Sequence, residues 1–277
     1  SVIGLGYVGL PTAVMLASRK KKVIGVDHDQ HVVDMVNKGN LYIAEPNLDE
    51  IFKTVINNGF LRAVKSPEPA DAFLIAVPTP LVSSNSKSSI PKPDLSYIKS
   101  VSKALAKVLK TGDLVILEST SPVGTTEQMA EWLAEERDDL TFPQTHGESS
   151  DIRIAYCPER ILPGLMMKEL VENDRVIGGL TRSCSKAAID LYKTFVNGMF
   201  SLTNARTAEL TKLTENASRD VNIAFANELS VICEKLDVDV WKLIELANLH
   251  PRINILEPGP GVGGHCIAVD PWFIASS

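Results

Sequence analysis

The chain has 277 residues, 44% hydrophobic and 22% charged, with 28 basic against 34 acidic side chains and a net charge of −6. This suits a globular protein of one large or two ordinary domains, and the acidic balance gives no support to a nucleic-acid or membrane-surface partner. No apolar run of about 18 residues and no signal-peptide pattern occurs, which predicts a cytoplasmic protein, and the cysteines at 157, 184, 233 and 266 lack zinc-site or disulfide-framework spacing.

Val2-Ile3 runs into Gly4-Leu5-Gly6-Tyr7-Val8-Gly9, a G-x-G-x-x-G turn, and then a helical pattern through Leu10, Val14 and Leu16. In such a strand–turn–helix unit the first glycine makes the turn and the second lets a pyrophosphate approach the backbone. The third packs helix on strand, and the helix N-terminus faces the phosphates. A second strand, Val23 to Val26, ends at Asp27, the spacing of the acid that binds the adenosine ribose hydroxyls. No Arg follows to receive a 2′-phosphate, so the cofactor expected at Gly4, Gly6, Tyr7, Val8, Gly9 and Asp27 is NAD rather than NADP. The basic run Arg19 to Lys22 reads as a solvated turn, and His28 and His31 as solvated side chains at a helix start rather than metal ligands.

Strands predicted at 60–64, 72–77, 114–117 and 152–156 alternate with helices at 47–57, 95–109 and from a Thr125–Thr126 N-cap to Glu136. Residues 83–92 read as a Ser-rich, Pro-punctuated loop. This alternation predicts an α/β fold with a doubly wound parallel, Rossmann-like sheet, whose strand ends present Thr79, Thr120 and Glu159 on one rim.

After Arg175–Gly179 the pattern changes. One helix spans 185–196, and 207–236 reads as a single long helix whose polar residues Lys212, Asn216, Asp220 and Asn227 share a face. A solvated face is the default, yet Lys212 and Asn216, one turn apart, can also aim an amine and an amide at one ligand oxygen. Asp239 caps a helix reaching Ala247. His250-Pro251-Arg252 then leads into Pro258-Gly259-Pro260-Gly261-Val262-Gly263-Gly264-His265-Cys266, a Gly/Pro-rich backbone presenting a thiol, with Asp270 four residues on. A tight turn around a buried cysteine is the alternative reading. The expected division is an NAD-binding domain over 1–180 and a helical region over 181–277 ending in the cysteine loop.

Seven ordered motifs are G-L-G-Y-V-G-L-P, V-P-T-P, E-S-T-S-P-V-G-T, C-P-E-R, R-V-I-G-G, A-E-L-T-K-L-T-E-N and G-V-G-G-H-C-I-A-V-D-P. Over essentially the whole chain they resemble the nucleotide-sugar 6-dehydrogenases of the UDP-glucose and GDP-mannose dehydrogenase type. C-P-E-R-I-L-P-G and G-G-H-C-I-A-V-D-P look like the N-acetylhexosamine branch, which implies a UDP-N-acetylhexosamine substrate. The resemblance implies Cys266 as nucleophile, Lys212 and Asn216 at the reacting oxygen, and Asp270 in proton movement. It implies Glu159 and Thr120 at the water of a final hydrolysis, with Thr79 and Thr120 on the cofactor. Glu159, Arg160, Lys212, Asn216, Arg252 and Gly263 would meet the substrate, Arg252 from the partner subunit of a homodimer built through the long helix. Also implied is a further nucleotide-binding domain outside these residues, without which this chain is expected to turn over little. Ser218 stands where the family usually carries an aromatic, a departure that concerns helix packing. Two readings compete. A β-hydroxyacid dehydrogenase shares the N-terminal fold and a Lys-x-x-x-Asn pair but needs no thiol and uses one NAD. An NAD-binding dimerisation module would have no turnover.

Overall fold

Continuous apolar strands such as Leu114–Leu117 avoid water only in a sheet covered on both faces, and helices cover both faces here. The computed structural model describes residues 1–82 and 90–277; residues 83–89 of the Ser-rich loop lie outside the described residues. The chain runs through β1 (Val2–Ile3), α1 (Gly9–Ser18), β2 (Val23–Val26), α2 (Gln30–Asn37), α3 (Leu48–Asn57), β3 (Leu61–Val64) and β4 (Ala72–Ile75). It continues through α4 (Ser96–Ala106), β5 (Leu114–Leu117), α5 (Thr125–Glu135), α6 (Pro143–His146) and β6 (Arg153–Tyr156). Then come α7 (Met166–Glu172), β7 (Arg175–Gly179), α8 (Arg182–Tyr192), β8 (Phe200–Asn204), α9 (Ala205–Leu236), α10 (Val240–Ala247) and α11 (Asp270–Ala275).

The strand order is β3-β2-β1-β4-β5-β6-β7-β8. The first six strands are parallel, as expected, and the order reverses between β1 and β4, where open sheets of this kind bind ligands beyond the strands' carboxyl ends. β7 departs from the all-parallel expectation: it runs antiparallel to β6, with Ala155 opposite Gly179, and β8 pairs parallel to β7. Alternate residues of β5 enter different cores, as the pleat requires. Leu114 and Ile116 join Leu10, Val14, Phe52 and Leu74 on one face, while Val115 and Leu117 join Phe73, Ile98, Met129 and Leu133 on the other. Each fully buried side chain of the size of Phe52 or Phe73 contributes roughly 2 kcal/mol.

The expected Thr125–Thr126 cap of α5 is replaced by a distant one. Gly124 holds the N-cap position in a left-handed conformation. Glu209 of α9 supplies the acceptor, taking Gly124 N at 2.6 Å, Thr126 N at 2.8 Å and Thr126 Oγ1 at 2.6 Å. A carboxylate there satisfies otherwise orphaned N–H groups and meets the positive end of the helix dipole. Burial pushes the Glu209 carboxyl up, and these donors oppose it.

By contact the chain divides into two units, residues 1–79 with 94–210 and residues 80–93 with 211–277. The sheet and both cores belong to the first. In the second, Leu213, Ala226, Cys233, Ile244 and Phe273 are buried, whereas Val221, Phe225, Leu236, Trp241 and Leu249 are exposed. Ser218 is exposed and α9 runs unbroken through it. The apolar residues Trp272–Ala275 belong to α11, which Pro271 opens in its first turn. Among the described residues no helix is long and apolar enough to cross a membrane.

Candidate functional site

In the first unit β1 delivers the chain to Gly4, whose φ of +91° suits glycine; a Cβ there would lie 2.5 Å from Ala76 O at the end of β4. A Cβ on Gly9 would sit 1.8 Å from Gly4 O, so α1 can approach the turn this closely only with glycine. Gly6 differs: nothing lies within 4 Å of its Cβ position. Two glycines therefore serve the fold, and the middle one leaves room for a ligand. Gly9→Ala should lower Tm sharply, since overpacking of this kind typically costs about 1–3 kcal/mol. Gly6→Ala should leave Tm nearly unchanged and weaken NAD binding about tenfold, or 1.4 kcal/mol. Thermal unfolding and cofactor titration measure both; normal NAD affinity in Gly6→Ala would contradict the assignment.

Asp27, at the end of β2, accepts Leu5 N on Oδ2 and Asp29 N on Oδ1, each at 3.0 Å, so its carboxylate is fixed beside the glycine turn. His28 is solvated as expected, its side chain 94% exposed. Tyr7 is half exposed, and Val8 holds the N-cap position of α1. Tyr42, absent from the sequence reading, donates to Leu5 O and braces the turn. Burial, reinforced by Asp27, pushes its phenol up. The open space at Gly6 and the fixed acid at Asp27 fit a dinucleotide.

The rim residues form in the same unit. Thr79 Oγ1 donates to Thr120 O at 2.6 Å and Ser119 Oγ to Val77 O at 2.7 Å, tying the segments after β4 and β5. Glu159, just beyond β6, is buried; its Oε2 accepts Arg175 Nη1 at 2.6 Å and its Oε1 accepts Arg160 N at 2.7 Å. The Arg160 guanidinium reaches Asp174 O at 3.4 Å. Arg175 was not singled out from the sequence, although a charge opening an apolar strand was the available signal.

In the second unit the polar face of α9 carries the cysteine loop rather than water alone. Asn216 Nδ2 donates to Asp270 Oδ2 at 2.6 Å, and Asn227 Oδ1 accepts Gly259 N at 2.8 Å. Lys212 is half-buried and acts on Asp270 by its charge. Burial pushes the Asp270 carboxyl up, against the Asn216 hydrogen bond and the Lys212 charge, which pull it down. Asp270 N donates to Cys266 O at 2.9 Å, so one turn fixes the acid relative to the cysteine. Cys266 is exposed, which rules out the buried-cysteine reading, and the other three cysteines are buried. Lys212, Asn216 and Asp270 are thus brought together, with Cys266 one turn away. Arg252 and Gly263 are exposed, and open space surrounds the Gly263 Cβ position.

Residues 1–196 match the NAD binding domain of the UDP-glucose/GDP-mannose dehydrogenase family, and residues 206–277 match its central domain. The chain belongs to this family. It is 66% identical to a Campylobacter jejuni UDP-N-acetyl-D-mannosamine dehydrogenase over 99% of this chain and 66% of the relative. It is 62% identical to an NDP-N-acetyl-D-galactosaminuronic acid dehydrogenase of Ralstonia nicotianae over 100% of this chain and 64% of the relative. Among solved structures, a UDP-D-ManNAc dehydrogenase from Pyrococcus horikoshii superposes with a TM-score of 0.90 at 43% identity, covering 100% of this chain and 64% of that one. The chain therefore spans slightly less than two thirds of the length of these UDP-glucose/GDP-mannose dehydrogenase family members, and its cofactor is the NAD of the matched domain.

Proposed function

We propose that the protein is an NAD-dependent UDP-N-acetyl-D-mannosamine 6-dehydrogenase, which oxidises the carbon-six alcohol of its sugar to the carboxylate. The observation that carries this reading is the grouping of Lys212, Asn216 and buried Asp270 with an exposed Cys266 one turn away. The likeness to relatives named for that sugar supports it. Gly4, Gly6, Tyr7, Val8, Gly9 and Asp27 would hold NAD, with Thr79 and Thr120 alongside. Bound there, NAD supplies the hydride acceptor, two equivalents being needed for this four-electron oxidation.

The chain's own residues handle the carbon between those oxidations. The Cys266 sulfur forms a bond to the aldehyde carbon, so the intermediate stays attached as a thiohemiacetal and then as a thioester. Water breaks the C–S bond, releasing the acid and restoring the thiol. The Lys212 ammonium and the Asn216 amide stabilise charge on the reacting oxygen. Asp270, its proton affinity raised by burial, takes the Cys266 thiol proton as the C–S bond forms and returns it to the sulfur as that bond breaks. Glu159 and Thr120 orient the hydrolytic water, and Arg160, Arg252 and Gly263 meet the nucleotide sugar. The apolar side chains exposed on α9 and α10, among them Phe225, Leu236 and Trp241, support a homodimer.

A second reading, the stereoisomer N-acetylgalactosamine as the sugar of the substrate, is favoured by the Ralstonia relative at 62% identity. The protein extended to the length of its relatives should be given both UDP-sugars, with NADH followed by absorbance and product by mass spectrometry. Two NADH per UDP-N-acetylmannosamine and a uronic acid product are expected. One NADH per sugar would overturn the thioester chemistry, whereas a preference for the other sugar would correct the substrate alone.

A further inference from the structure

Beneath the rim of the first unit, a cluster of ionisable side chains is shut away from water. Glu118 follows β5, Cys157 and Glu159 follow β6, Arg175 opens β7 and Tyr192 ends α8; all are buried. Tyr192 OH donates to Glu118 Oε1 at 2.6 Å. Arg175 Nη1 donates to Glu159 Oε2 at 2.6 Å, Arg175 Nη2 to Leu170 O at 3.1 Å, and the guanidinium lies 5.6 Å from the Tyr192 ring centre. Burial pushes the Cys157 thiol up to about 12 and the Tyr192 phenol well above its usual range, so both are neutral.

Two carboxyl groups thus lie within the influence of one guanidinium, which hydrogen-bonds Glu159 and acts on Glu118 by its charge alone. With both ionised the buried cluster would carry an uncompensated negative charge, a costly arrangement. The hydrogen bonds identify the carboxyl that stays neutral. Glu159 has a donor on each oxygen, Arg175 on one and the Arg160 N–H on the other. Glu118 has the phenol on Oε1, while its buried Oε2 has no hydrogen-bond partner among the described residues. An ionised carboxylate would be poorly satisfied there.

We propose that Glu118 is a positioning residue that acts as a neutral, proton-bearing acid, leaving Arg175 wholly to Glu159 and so holding Glu159 at the rim two residues from Arg175's other neighbour, Cys157. The inference rests on Glu159 serving the reaction as proposed above. Burial, and next the Glu159 carboxylate, push the Glu118 carboxyl up to about 7, opposed by the Tyr192 hydrogen bond and the Arg175 charge. Loss of that proton would set a second anion competing for Arg175 and loosen Glu159. Glu118 also lies two residues before Thr120, so a disturbance there reaches both residues assigned to the hydrolytic water.

The folded protein keeps the Glu118 proton up to about pH 7, while the unfolded chain releases it near the ordinary value of 4.5. The stabilisation is therefore complete below about 4.5 and is lost as pH rises through about 7. The test uses wild type, Glu118→Gln and Glu118→Ala in the protein extended to family length. Tm is read from about pH 4 to about pH 9, a range that brackets both values, and NADH production across the same range. Glu118→Gln, a neutral isostere, should retain kcat within about threefold at the acid end and lose the part of the alkaline decline due to Glu118. Glu118→Ala, leaving the phenol unpaired, should lose about tenfold or more. The Tm of wild type should fall relative to Glu118→Gln as pH rises. A glutamine variant that is as impaired as the alanine one, that fails to fold, or whose Tm tracks wild type at every pH would overturn the proposal. If wild type does not oxidise the sugar, the function reading fails, and the Tm comparison still decides whether Glu118 carries the proton.

Discussion

Lys212→Ala, in the protein extended to the length of its relatives, is expected to lower kcat by about 100- to 10,000-fold, the range for a positioned acid–base or charge-stabilising group. NAD affinity should stay within about twofold, because the glycine turn and Asp27 belong to the first unit. The fold should survive, since alanine is a good helix former and Lys212 lies within the long α9. Lys212 also has an electrostatic role: its charge and the Asn216 hydrogen bond are the two influences that lower the Asp270 carboxyl against burial. Removing it should move Asp270 further upward and shift the acid limb of the pH–rate profile to higher pH. Lys212→Arg should restore the charge but fit poorly, because a planar guanidinium does not substitute for a compact ammonium. Steady-state kinetics with Tm as the folding control measure these effects. A kcat loss below tenfold would return Lys212 to a solvated role.

The parts of the molecule that were legible in the sequence are those with local constraints. Gly9 is dictated by a backbone contact five residues away, Gly4 by the turn itself as well as by distant Ala76 O, and Asp27 by its place at the end of the next strand. The parallel strands were legible because most are short apolar runs between turn residues, β5 most plainly. What was missed depends on partners far apart in sequence. The carboxylate that caps α5 comes from Glu209, 85 residues from Gly124, so the neighbouring threonines were the only visible candidates. Tyr192 reaches Glu118 across 74 residues, and Asn216 reaches Asp270 across 54. β8 escaped notice because Phe200–Asn204 is half exposed and mixes polar with apolar residues. The polar face of α9 looked solvated for a related reason: Asn216 and Asn227 hold a loop that follows more than thirty residues later.

The second large effect is expected at Cys266. An exposed thiol on a Gly/Pro-rich turn, with its carbonyl bonded to Asp270 N, is the residue that would keep the half-oxidised sugar attached. Cys266→Ala should reduce acid formation by at least about 1,000-fold while leaving the glycine turn and NAD affinity intact, since losing a covalent nucleophile removes the whole pathway it opens. Alanine is smaller than cysteine and the site is exposed, so Tm should change little. The decisive measurement is product analysis by mass spectrometry for wild type and Cys266→Ala, both extended to family length and supplied with UDP-N-acetylmannosamine and NAD. Uronic acid is expected from wild type and none from the alanine variant, with at most the aldehyde and one NADH per sugar. Uronic acid from Cys266→Ala at the wild-type yield would contradict the thioester chemistry.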